Sequence, residues 1–149
     1  TLPDDPLLTG PGLRRIDHAF ANPPWHGHDS SASGHTQRDL ARRLPVGSLA
    51  GWVRVLVAQL RHHGTLTLAL PASLLAGGVS AMEKARLGGI RVFPFWPRAG
   101  QAARIVLVQG RANARAGSEM LPGLILHEAD GRFTAAARAV LEDGAALPA

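Results

Sequence analysis

Asn22, Pro23, Pro24 and Trp25 stand directly after the apolar run Ile16-Asp17-His18-Ala19-Phe20-Ala21, and their residue types define one binding chemistry. Each proline fixes φ at about −65° and lacks an N–H, so its backbone carbonyl can only accept hydrogen bonds. The side-chain oxygen of Asn22 is a second acceptor. Two acceptors converging on an exocyclic amine hold both of its hydrogens and leave the nitrogen lone pair directed at an incoming electrophile. A tryptophan beside them can stack on the ring that carries the amine, worth about 1–3 kcal/mol per base. A strand ending in this asparagine delivers it to the carboxyl edge of a sheet, where open α/β folds bind their ligands. The plainer alternative, a doubled proline that merely ends a strand, stands beside this reading on spacing alone.

Three other groups of residues bear on chemistry. His26, His28 and His35 lie close together, but no carboxylate or cysteine completes a recognisable ligand spacing, so they read as solvated loop histidines rather than a metal site. Arg98 and Arg104, with Arg111 and Arg115 beyond them, offer a phosphate track if the fold places them together; scattered solvated arginines are the competing reading. Asp17 begins its strand, far from the reacting amine, and reads as structural. The net charge of +5, from sixteen basic residues that are almost all arginine against eleven acidic ones, favours a polyanionic partner such as RNA. With no cysteine the chain has neither disulfides nor thiolate-bound zinc. The uncharged stretch from Gly64 to Met82 is broken by Pro71, Gly77 and Gly78 and alternates in its first half, so a membrane span is not expected; we read a soluble cytoplasmic protein.

The elements that must position these residues follow from pattern. Thr1 to Leu13 is rich in Pro and Gly and reads as loop, and Ile16 to Ala21 as a buried parallel strand. His26 to Pro45 is polar and predicts a segment mobile without substrate. Ser48 is placed to cap a helix from Leu49 to His62, with Leu49, Trp52, Val53, Leu56 and Leu60 on one face and Gly64 as its stop; Trp52 is read as core. Thr65 to Leu70 is the next parallel strand, and a helix from Val79 to Leu87 ends at Gly88 and Gly89. Ile90 to Trp96 and Ala103 to Gln109 flank Pro97-Arg98-Ala99-Gly100-Gln101, turn chemistry of hairpin length. Leu124 to His127 predicts a short edge strand, and Thr134 caps a last helix, Ala135 to Glu142.

The stretch Asp17 to Trp25 resembles the Asn-Pro-Pro-aromatic motif of class I S-adenosylmethionine-dependent methyltransferases that act on amino nitrogens. Gly64-Thr65-Leu66-Thr67-Leu68-Ala69-Leu70-Pro71 is similar to the strand that follows it in those proteins. Leu126-His127-Glu128-Ala129-Asp130-Gly131-Arg132-Phe133-Thr134 is similar to the tail of the bacterial subgroup that methylates adenine in transfer RNA. The resemblance implies an α/β fold: the C-terminal half of a Rossmann-like sheet, parallel strands followed by an antiparallel hairpin, all 149 residues belonging to one methyltransferase domain. It implies S-adenosylmethionine as cofactor, RNA and above all tRNA as partner, and methyl transfer to the exocyclic amine of adenine. Asn22 and Pro23 would be catalytic and Pro24 and Trp25 would bind substrate, and the phosphate-track reading of the residues adds Arg98 and Arg104 to the substrate-binding set. Guanine in ribosomal RNA, a protein glutamine, or a non-catalytic nucleic-acid-binding fragment are the alternatives.

One departure from that family is large. Its members hold the cofactor with a Gly-rich loop after the first strand and an acidic residue ending the second, and neither is present; Gly10-Pro11-Gly12 follows no predicted strand and reads as a turn. The cofactor-binding half is therefore expected to lie outside these residues, and the chain alone to be inactive. An edge of the Ile16–Ala21 strand would then stand open, predicting pairing with another chain or a homodimer along it.

Overall fold

The structure is a computed structural model that describes residues 16–23 and 49–148. In chain order it comprises β1 (Ile16–Ala21), α1 (Leu49–Gln59), β2 (Leu60–Pro71), a 3-10 turn (Ala72–Leu74), α2 (Leu75–Lys84), β3 (Leu87–Trp96), β4 (Ile105–Ala112), β5 (Glu119–Met120), β6 (Leu124–Ile125) and α3 (Ala135–Leu141). The six strands form one sheet in the order β1-β2-β4-β3-β5, and β6 also pairs with β3. β1 and β2 are parallel, β4 inserts between β2 and β3 antiparallel to both, and β5 and β6 run parallel to β3. The expected parallel pair followed by an antiparallel hairpin is thus present.

Alternation in the strands explains the two layers. Leu66, Leu68 and Leu70 of β2 and Val106 and Val108 of β4 point to one face, each at most 3% exposed, where Val53 of α1 and Met82 of α2 cover them. Each such fully buried aliphatic side chain contributes about 1.5–3 kcal/mol. On the opposite face Phe93, Leu124 and Ala137 of α3 form a second, smaller cluster that Leu107 and Phe95 join.

Several boundaries differ from expectation, for reasons of packing. β1 is not buried: only Ala19 is, because β1 ends the strand order and pairs with β2 alone among the described residues, leaving Phe20 65% exposed. α1 stops at Gln59 rather than His62, since Leu60 is drawn into the core and pairs with Ile16, after which His63 turns with φ 63°. Gly64 is accordingly not a helix stop but a point of close approach, where a Cβ would lie 3.0 Å from the backbone oxygens of both Arg61 and Asp17. α2 spans Leu75–Lys84 instead of Val79 to Leu87. Gly88 and Gly89 belong to β3, and a Cβ on Gly88 would meet the backbone oxygen of Ala114 at 2.2 Å. β4 begins at Ile105, not Ala103. Trp52 is half-buried and outside the core cluster, which Val53 and Leu60 of the same expected face form and Leu49 and Leu56 pack against. Thr134 caps α3 as its sequence position implies, its Oγ1 accepting from the Ala137 N–H at 3.0 Å. Thr1 to Leu13, Ser48 and the segment His26 to Pro45 lie outside the described residues.

Candidate functional site

Asn22 and Pro23 leave the carboxyl end of β1, Asn22 exposed and Pro23 buried. β1 is fastened to β2 by side chains as well as by the ladder. His18 Nδ1 and Thr65 Oγ1 form a 2.7 Å hydrogen bond, and Asp17 pairs with Arg61, which gives Asp17 the structural role its position suggested. Because Ala21 is in register with Leu68, the carboxyl ends of β1 and β2 reach the same edge of the sheet.

The hairpin brings the arginines to this edge selectively. Ile105 pairs with Pro71 on one side and with Phe95 on the other, so Arg104, just before β4, and Arg98, just after β3, lie at the edge that carries Asn22. The backbone oxygen of Arg104 accepts from Ala72 N–H at 2.8 Å, joining the end of β2 to the start of β4. At about 4.8 Å per strand, β4 is about 10 Å and β3 about 14 Å from β1 along the edge. Arg111 is in register with Thr65 and Gly88, at the opposite end of β4. Six residue steps at about 3.3 Å put it about 20 Å away. The four arginines therefore do not make one track: Arg98 and Arg104 share the Asn22 edge, while Arg111 and Arg115 belong to the other. Pro24, Trp25, His26, His28 and His35 lie outside the described residues, and among the described residues no cluster of His, Asp or Glu could hold a metal ion.

Sequence reading singled out no role for His127, which the structure brings to the same edge. Its N–H donates to the backbone oxygen of Pro97 at 3.0 Å, next to Arg98, and its ring stacks on Phe133 with centroids 4.9 Å apart. Its buried Nδ1 has no hydrogen-bond partner among the described residues. The bridge between His127 and Phe133 closes the turn containing Asp130 and Arg132. Arg132 donates to Asp130 from its Nε at 2.7 Å and its backbone N–H at 3.0 Å, holding the Asp130 carboxyl below its ordinary pKa.

No protein-family model matches the chain, and no curated protein does. Among solved structures it is similar to the crystal structure of a predicted O-methyltransferase from Agrobacterium tumefaciens, at 25% identity and a TM-score of 0.70. The match covers 91% of this chain but only 56% of that one. The mixed sheet, parallel strands followed by an antiparallel hairpin, is thus a methyltransferase-like fold.

The described residues do not by themselves form a cradle for a nucleoside cofactor. Ala72-Ser73-Leu74, which holds no glycine, follows β2, and neither β1 nor β2 ends in a carboxylate for a ribose. No helix among the described residues is long and apolar enough to cross a membrane.

Proposed function

We propose that the intact protein is an S-adenosylmethionine-dependent methyltransferase acting on the exocyclic amine of adenine in RNA, with a tRNA loop as substrate. The observation that carries this reading is the delivery of Asn22 and Pro23 to the carboxyl edge of a methyltransferase-like sheet that also presents Arg98 and Arg104. The Asn22 side-chain oxygen and the Pro23 carbonyl would take the two amine hydrogens, leaving the lone pair in line with the methyl group. Pro24 would shape the wall and Trp25 stack on the base. Arg98 and Arg104 would meet flanking phosphates, and an unpaired loop base enters such a pocket at little unstacking cost. The methyl donor carries its own activated methyl group, so these residues contribute alignment, which can supply about 7–11 kcal/mol. The donor itself would be held by residues other than those described.

A second reading, transfer to oxygen, is favoured by the description of the structural neighbour as a predicted O-methyltransferase. Methylation of bulk tRNA by the intact protein, followed by nucleoside mass analysis, separates the two: N-methyladenosine is expected, and a ribose-methylated product would replace the amine reading. Asn22→Ala in the intact protein should lower turnover by several orders of magnitude with cofactor affinity nearly unchanged. Full turnover by that variant would remove Asn22 from the mechanism.

A further inference from the structure

Beside Thr65, midway along β2, on the sheet face opposite α1 and α2, the structure holds a cleft of about 570 Å³, within the size range of small-molecule sites. Its floor carries Thr65, Gln109 and Arg111, and its wall is the loop leading from Ala114 to Glu119. Gly88 and Gly89 set that wall. The Gly89 N–H donates to Ala116 O at 2.9 Å, and Gly88 has no room for a Cβ beneath Ala114, so the loop is drawn tightly against β3. The cleft is therefore formed by the fold rather than by loosely hanging side chains.

Its charges are arranged asymmetrically. Arg91 donates to Glu119 Oε1 at 2.6 Å, and those two charges offset each other. Arg111 lines the same cleft and has no acidic partner among the described residues, which leaves one planar guanidinium uncompensated. A guanidinium fork matches an oxyanion bidentately. Acceptors stand beside it: Gln109 donates its amide N–H to Thr67 Oγ1 at 3.0 Å, which turns its carbonyl oxygen to other donors, and Glu119 keeps a second carboxylate oxygen. One cation beside two acceptors suits a molecule bearing one oxyanion and hydroxyl groups. A polyanion is not favoured there, because with Arg91 and Glu119 offsetting each other only one cation, Arg111, lines the cleft uncompensated.

We propose that this cleft is a binding site for a small hydroxylated oxyanion, a sugar phosphate or hydroxy acid, held through Arg111. Its Arg111 lies about 20 Å along β4 from the Asn22 edge, and the site does not depend on the methyltransferase reading.

The test is an NMR titration of the 149-residue chain with ribose 5-phosphate, tartrate, inorganic phosphate and a single-stranded RNA oligomer at constant ionic strength. Shifts are expected at Gly89, Gly110, Gly117 and Ser118 with ribose 5-phosphate or tartrate, and which of the two binds more tightly identifies the oxyanion. Arg111→Gln should weaken that binding at least tenfold, and Arg115→Gln, whose side chain is outside the cleft, by less than twofold. Arg111 is exposed, and an unchanged thermal midpoint would certify that its variant is folded. Shifts with RNA alone, equal weakening by both variants, or no saturable shift in the cleft would each overturn the proposal.

Discussion

Gly64→Ala tests whether the position of the Asn22 strand depends on one missing methyl group. The added Cβ would lie 3.0 Å from Arg61 O, 3.0 Å from Asp17 O and 3.2 Å from Ile16 O, against an ordinary contact near 3.4 Å or more. All three oxygens are backbone, so none can rotate aside, and relief requires β1 to move away from β2 and the Arg61–Gly64 stretch of β2 itself to shift, each by a few tenths of an ångström. Overpacking of this kind costs about 1–3 kcal/mol. Restricting the unfolded chain returns about 0.4–1 kcal/mol, because Gly64 does not need a left-handed φ. The net loss is about 1–2 kcal/mol, a fall of about 2–8 °C in thermal midpoint for a chain of this size. Gly77→Ala is the matched comparison: a Cβ there meets nothing within 4 Å, and the exposed helix position should gain about 0.5–1 kcal/mol. Urea unfolding followed by amide exchange reads both effects, with faster exchange at Ala19 and Ala21 expected only in Gly64→Ala. A Gly64→Ala variant as stable as the parent, with β1 exchange unchanged, would refute the close-approach reasoning.

Two further expectations concern the C-terminal segment. Thr134 Oγ1 both accepts from Ala137 N–H and donates to Ile125 O at 2.8 Å, so Thr134→Ala should cost about 1–2 kcal/mol in denaturant unfolding. Thr134→Ser keeps both bonds and should lose less than about half of that; equal losses would show that the hydroxyl is not the cause. The Asp130 carboxyl is held below its ordinary pKa first by the Arg132 side chain and then by its N–H. A lowered folded value means that the pair's contribution is present above the ordinary aspartate range and is lost as pH falls through the folded value. NMR titration of the Asp130 carboxyl should show a depressed midpoint that Arg132→Ala returns toward the ordinary range. A midpoint unmoved by that substitution would assign the depression to another group.

Much of the fold lay in local pattern. Alternation of Leu66, Leu68 and Leu70 marked β2 and its buried face, the five residues from Pro97 to Gln101 marked the hairpin, and Thr134 marked the start of α3, because each signal is carried by neighbours in the chain. Asn22 and Pro23 at a strand end were legible for the same reason. Glycine was misread twice. Gly64 and Gly88 look like helix stops in sequence, and only packing of β1 on β2 and of the Ala114 loop on β3 shows that each is required by a backbone oxygen close by.

The amino-acid sequence by itself determined which residues could clamp an amine and which segments alternate, since side-chain chemistry and strand periodicity are local properties. Tertiary structure decided which arginines share an edge. The insertion of β4 between β2 and β3 puts Arg104 beside Pro71 and sends Arg111 to the other end of the sheet, and β-ladder register joins residues far apart in the chain, which spacing alone does not encode.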